Sequence, residues 1–512
     1  MKRFLSLLVG LLILSLLSGC LLQPFGKGGS KFKPSSARDV IDYSALDFKE
    51  GEVLIKANAS GSLEQVLAQE GSAILHEWPQ IGWVVASVPP GESVGSFIAK
   101  LRSYKEVLLA EPNVRYELPE PDGWGDIELL ALAEAEEYDK QWGLRNINAE
   151  AAWEITTGSP DVIVAIIDTG VDASHPEFDG KAFVEGFDAT GEGTPTLDLH
   201  GHGTHVAGIA ADDGRSGKIA GVAWDCPIMP VRVMDSDYTI WTWYLTDAML
   251  HLGDYAEAHP EKRIVANMSI GGRGYSFAFK DAIDYAAERG VLLVTSAGND
   301  YMRVISYPGA YNGVVTVAAS TPWNEKADFS TMGWWNSVAA PGVNIYSTVT
   351  EGRYESWQGT SMASPFVCGA AALLLSQYPE LSTVELKNQI EQTAQGSGFT
   401  EELGYGVIDA AAILGELRPM AYGALKVKTN LVLEDEDDES YGVITVFSSD
   451  GVLKAYGTTG MDGSHTFHAL QPGDYTVTVA FYSAAAEGWE LASQQASVGV
   501  DKKTEVVFEF EL

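Results

Sequence analysis

Five apolar runs constrain this chain more than any other feature: "VIVAIID" (162–168), "IMPVRVM" (228–234), "RIVANMSI" (263–270), "VLLVTSA" (291–297) and "VVTVAAS" (314–320). A strand with one wet face alternates apolar and polar residues. These runs do not alternate, so both of their faces must be covered. Amphipathic stretches such as "SFAFKDAIDYAAERG" lie between several of them and supply the covers. The pattern predicts an α/β domain over residues 141–415, a parallel sheet flanked by helices.

The flanks read differently. Residues 47–118 run strand "GEVLIKA", helix "SLEQVLAQEG", two strands in "AILHEWPQIGWVVASVP", helix "SVGSFIAKLRSY" and strand "VLLAEPNVRYEL". That order is the ferredoxin-like α+β unit. An acidic, Pro/Gly-started stretch at 119–140 reads as a linker. Residues 420–512 hold short alternating strands separated by turns such as "SDG", "MDG" and "QPGD", which predicts a small all-β sandwich. Its acidic run at 433–440 reads as a solvated loop rather than a calcium site.

The first residues concern location. Lys2 and Arg3 precede "FLSLLVGLLILSLL" and then "LSGC", the layout of an export signal. The "LSGC" ending resembles a bacterial lipoprotein signal, which makes 1–20 the signal, Cys20 the lipid-bearing residue and 21–46 a tether. The expected location is the cell envelope, or outside the cell after processing, with membrane contact only through Cys20. Lys+Arg total 33 against 70 Asp+Glu, a formal charge of −37, which argues against nucleic acid as a partner. Cys226 and Cys368 have the option of pairing, but Cys368 in "FVCGAAALLL" reads as a small buried thiol.

Chemistry gathers where parallel strands end. "VIVAIIDTG" ends in Asp168 and "VLLVTSAGND" leads to Asn299. "DLHGHGTHVAG" brings His200, His202 and His205 into six positions, open to a metal cage or to one catalytic base. In "GTSMASPFVCGAAALLL", Ser361 stands at the start of an Ala-rich helix as its N-cap, and Pro365 falls in the first turn. Each motif alone reads as turn or cap chemistry.

Together they resemble the subtilisin-like serine proteases. The order Asp168, His202, Ser361 is the subtilisin order, and "GHGTHVAGIAA", "NMSIGG", "TSAGND", "AAPG" and "GTSMASP" match the family's motifs over some 270 residues. The resemblance implies a serine endopeptidase acting through an acyl-enzyme. Ser361 would be the nucleophile, His202 the base, Asp168 its orienter and Asn299 the oxyanion donor. Ser269, Ile270 and Gly271 would form the substrate-binding edge, and Ala297, Gly298 and Ser306 the pocket, with Asp300 at the rim able to admit a basic residue. Residues 47–118 would be an inhibitory propeptide, cleaved within 119–141, so the implied partners are protein substrates and the chain's own propeptide. No cofactor is implied for catalysis. The family's calcium loop follows the His helix, and here it reads "ADDGRSGKIAG", with Arg215 and Lys218 where oxygen ligands are wanted; a structural calcium stays open. Phe366 replaces a histidine common in the family and would serve packing. The competing reading is a catalytically silent binding protein on the same fold.

Overall fold

The computed structural model describes residues 45–58, 62–119, 140–432, 443–449, 453–459, 464–483 and 488–511. Cys20, most of the tether, most of the linker and the acidic run 433–440 lie outside the described residues.

The N-terminal unit is β1 (Phe48–Ala57), α1 (Leu63–Gln69), β2 (Ile74–Trp78), β3 (Trp83–Ser87), α2 (Val94–Leu101) and β4 (Val107–Tyr116). Its strands pair antiparallel in the order β2-β3-β1-β4. Strand alternation gives the sheet two apolar faces. Val53 and Ile55 pack on Val66, Phe97 and Leu101 of the unit's own helices. Leu54, Trp83 and Val85 belong instead to a cluster with Met249 and Phe279 of the next domain.

That domain contributes β5 (Val162–Asp168), β6 (Phe187–Asp188), α3 (His202–Ala211), β7 (Ile228–Arg232), β8 (Ile240–Trp241), α4 (Thr242–Ala258), β9 (Arg263–Met268), α5 (Phe277–Glu288), β10 (Val291–Ser296), β11 (Val315–Ser320), β12 (Val338–Pro341), β13 (Ile345–Val349), β14 (Arg353–Trp357), α6 (Thr360–Gln377) and α7 (Thr383–Gln392). Seven strands make one parallel sheet in the order β12-β11-β10-β9-β5-β7-β6. The apolar runs are explained by β5. Its Val162, Val164 and Ile166 meet α3 and α6, while Ile163, Ala165 and Ile167 meet α4 and α5. Strand β8 leaves this domain to pair antiparallel with β4, extending the N-terminal sheet to five strands.

The C-terminal unit comprises β15 (Gly423–Val432), β16 (Val443–Ser448), β17 (Leu453–Thr458), β18 (Ser464–Leu470), β19 (Gly473–Ser483), β20 (Gly488–Val498) and β21 (Lys503–Glu511). They form two sheets, β18-β15-β21 and β17-β16-β19-β20, closed over Leu425, Val427, Val446, Phe467, Val477 and Phe508. Cys226 and Cys368 are both buried free thiols, so the pairing that the sequence leaves open is not made.

Candidate active site

Strand β5 delivers Asp168 at its carboxyl end, fully buried. Its Oδ1 accepts the N–H of Thr169 at 2.8 Å and that of His202 Nδ1 at 2.7 Å. His202 is the first residue of α3. That helix reaches the strand end only because residue 203 is glycine: a Cβ there would lie 2.0 Å from the Gly170 carbonyl oxygen.

Asp198, which the sequence offers only as a nearby carboxylate for the metal-cage reading, ties this corner together. Asp198 Oδ1 accepts from Thr169 Oγ1 (2.8 Å), His200 N (3.0 Å) and Gly201 N (2.8 Å), and its Oδ2 accepts from Thr204 N (3.0 Å) and Thr204 Oγ1 (2.6 Å). Thr169 Oγ1 in turn accepts the N–H of Gly203 at 2.9 Å. One side chain therefore caps the histidine helix and fixes it to the residue after Asp168. The available signal was an Asp just ahead of a helix start. Asp198→Asn offers an amide donor where all five partners are donors. The expected result is a kcat about ten- to a hundredfold lower with KM nearly unchanged; equal kcat for variant and parent would remove this positioning role.

The other two histidines of the motif are already engaged. His205 is fully buried, its Nε2 lies 3.2 Å from the Glu355 carbonyl, and its ring stacks on Trp357 at 4.6 Å. Burial, then the neighbouring His202, drives its pKa down to about 3. The His200 ring centroid stands 6.2 Å from that of His202. With His202 on Asp168 and His205 on a backbone carbonyl, the metal-cage reading of the three histidines fails.

The serine helix departs from expectation at its first turn. The N-cap is Gly359, not Ser361, and α6 already begins at Thr360. Pro365 therefore lies beyond the first turn, where it removes the N–H that would bond the Ser361 carbonyl. That carbonyl instead accepts Ser269 Oγ at 2.8 Å. Ser269 Oγ also accepts from Asn267 Nδ2 (3.0 Å), and Asn267 Oδ1 accepts from Ser364 Oγ (2.6 Å). This polar chain clamps the helix start to the end of β9. Ser361 is buried at the head of α6, its Oγ 3.4 Å from the Ser269 carbonyl.

Asn299 follows β10. Its Oδ1 accepts both Thr360 N and Thr360 Oγ1 at 3.0 Å, which ties the amide to the first residue of α6 and leaves Nδ2 as the free donor end, used by the Pro119 carbonyl. Glycine is required at 359, where φ is +149° and a Cβ would lie 3.3 Å from Asn299 Nδ2.

Ser269, Ile270, Ala297 and Ser306 are all buried. A Cβ on Gly271 would meet Ser306 Oγ at 2.9 Å, and one on Gly298 would meet Thr331 Oγ1 at 3.1 Å. Asp300 is paired with Arg273 Nη2 at 2.7 Å. Its charge is already compensated, so a preference for basic residues does not follow from it. Phe366 is buried against Gly143.

In the loop after α3, several carboxylate oxygens bond to the loop's own donors. Asp212 Oδ1 accepts Gly214 N, Asp213 Oδ1 accepts Arg215 N, and Asp213 Oδ2 pairs with Arg215 Nη1 at 3.3 Å. Burial pushes the Asp212 pKa up to about 8, leaving it mostly protonated at neutral pH. Ser216 donates to Glu177, and Lys218 Nζ sits 5.0 Å over the Tyr354 ring. The loop's own donors thus take Asp212 Oδ1 and both Asp213 oxygens, while Asp212 Oδ2 is buried without a hydrogen-bond partner.

The end of the N-terminal unit reaches Gly271 and Asn299. Glu117 and Gly271 exchange two backbone hydrogen bonds of 2.9 Å, and Asn299 Nδ2 donates to the Pro119 carbonyl.

The model of the subtilase family matches residues 159–406. The chain is 35% identical to the thermophilic serine proteinase of Bacillus sp. (strain AK1), over 71% of this chain and 87% of the relative. The chain belongs to the subtilase family. A second family model, the fervidolysin N-terminal prodomain, matches residues 36–113. Fervidolysin of Fervidobacterium pennivorans is 32% identical over 85% of this chain and 68% of its own length. Its crystal structure, described as that of a keratinolytic enzyme related to subtilisin, superposes with a TM-score of 0.70 at 28% identity, covering 90% of this chain and 78% of the other. This subtilase is a serine endopeptidase carrying a prodomain, and its partners are protein substrates and that prodomain.

Proposed function

We propose that Asp168, His202, Ser361 and Asn299 carry out peptide hydrolysis in this subtilase. The 2.7 Å bond between Asp168 and His202 supports this most strongly. With Nδ1–H held by the carboxylate, the imidazole lone pair is on Nε2, where it can take a serine proton. Ser361 Oγ attacks the scissile carbonyl as His202 accepts its proton. Asp168 stabilises the imidazolium, and Asn299 Nδ2 with the Ser361 backbone N–H stabilises the oxyanion. His202 then protonates the leaving amine, and water repeats the sequence on the acyl-enzyme. Ser269 to Gly271 pair the substrate as an added strand, while Ala297, Gly298 and Ser306 line the pocket for the residue before the cut.

A fluorophosphonate probe tests the assignment directly. Labelled peptide mapping to Ser361 is the expected outcome, and labelling elsewhere with Ser361 unmodified would exclude it. We further propose that the chain is exported and lipidated at Cys20, on the strength of "LSGC" after an apolar run; mass spectrometry of the protein from cells would show a lipid-modified N-terminal cysteine.

A further inference from the structure

We infer that the bond following Pro119 is the one this subtilase cuts to separate its prodomain, and that proline at this position makes the cut slow. The inference rests on the catalytic roles proposed above and adds the bond and its timing.

Two independent contacts fix the register. Glu117 and Gly271 form an antiparallel bridge in which each N–H bonds the other's carbonyl at 2.9 Å. Such hydrogen-bonded pairs recur at every second residue of an antiparallel ladder, so residue 119 falls opposite Ser269. Separately, Asn299 Nδ2 donates to the Pro119 carbonyl oxygen. The pairing and the donor thus choose the same carbonyl. Upstream, the Tyr116 hydroxyl donates to the Gly274 carbonyl at 3.0 Å, and its ring lies over Gly272, where a Cβ would be only 2.8 Å away. This holds the strand against sliding.

The reaction at this carbonyl is an ordinary acyl transfer. Ser361 Oγ bonds to the Pro119 carbonyl carbon and gives its proton to His202. The bond to the nitrogen of residue 120 breaks, and that nitrogen leaves with the proton. Water then hydrolyses the ester, releasing a prodomain that ends in the Pro119 carboxylate.

Proline is poorly suited to this place. The next hydrogen-bonded pair of the ladder requires the N–H of residue 119 to donate to the Ser269 carbonyl, and proline has no N–H. Ser361 Oγ donates to that carbonyl instead, at a long 3.4 Å. The nucleophile's proton is therefore directed at an acceptor that any other residue would occupy through its backbone. A substrate with an N–H there gains one more hydrogen bond and frees the serine hydroxyl. The prodomain is thus held as a slow substrate, which gives the domains time to fold together before they part.

The test follows conversion of the purified full-length chain by intact mass, with Pro119→Ala, Pro119→Ser and Pro119→Leu alongside. The first prodomain fragment is expected to end at residue 119 in all four, and each variant to convert about tenfold faster, the worth of one hydrogen bond. Three unlike side chains distinguish a gained N–H from a better pocket fit or a folding defect. A first cut at any other bond, or three variants no faster than the parent, overturns the inference. Ser361→Ala is the separate control. If that chain cut itself, the proposed nucleophile would be wrong, whereas a Ser361-dependent cut elsewhere would refute only the Pro119 assignment.

Discussion

Ser361→Ala is expected to leave a folded subtilase whose hydrolysis of casein falls about 10⁶-fold, the loss known for subtilisin when its own nucleophile is removed. Folding should survive because the hydroxyl's contact with the Ser269 carbonyl is long, 3.4 Å, while the clamp on the helix start uses the Ser361 carbonyl rather than its side chain. Asn299→Ala should be milder, about 10²–10³ in kcat as for the subtilisin oxyanion donor, because the Ser361 N–H persists. Here the loss should fall toward the upper end of that range. Asn299 Oδ1 also holds Thr360 through two 3.0 Å bonds, so its removal loosens the turn that presents the serine. Hydrolysis by the serine variant at the parent's rate would refute the mechanism, and an equal loss in both variants would refute the division of labour.

Burial on two faces is written into a strand directly, which is why β5, β7, β9, β10 and β11 could be read from their apolar runs and why the layers follow. The fate of each histidine in "DLHGHGTHVAG" could not be read the same way. It depends on a carboxylate 34 positions away and on the Glu355 carbonyl, brought together only by the fold. The serine helix shows the opposite difficulty. "GTSMASP" offers a capping serine and an early proline, both ordinary start signals, yet Gly359 with its positive φ takes the cap because Asn299 crowds that position. Pro365 then frees a carbonyl that Ser269 uses. Asp300 misleads for a related reason: its partner Arg273 lies 27 positions away, and nothing local reveals the pairing. Local propensity sets the elements; convergence across strand ends sets the chemistry.

The processed prodomain should loosen from the protease as pH rises from about 4.5 to above 7. Glu111 of β4 is buried against the start of α5, where Ser276 Oγ (2.7 Å), Phe277 N (2.9 Å) and Ala278 N (3.2 Å) donate to it. Burial outweighs those donors, and Asp281 adds repulsion, so its pKa rises to about 7 from an ordinary 4.5. A raised carboxyl pKa means that the complex binds more protons than the separated parts through that window. Binding is therefore favoured at its acid end and weakened toward its alkaline end. His76 acts in the same direction. Its Nε2 lies 3.1 Å from Asp247 of α4, and that hydrogen bond raises its pKa, with Glu77 adding to the rise and partial burial opposing it. The stabilisation from charged His76 is complete below about 6.5 and is lost as pH climbs through the raised value. The dissociation constant of the processed complex should increase on the order of a hundredfold between pH 4.5 and 8, mostly through Glu111. Glu111→Gln, which keeps an acceptor but cannot ionise, should flatten most of that curve, leaving the smaller dependence that His76 supplies. A dissociation constant that fell with rising pH, or a Gln variant with the parent's full slope, would show that these two groups do not govern release.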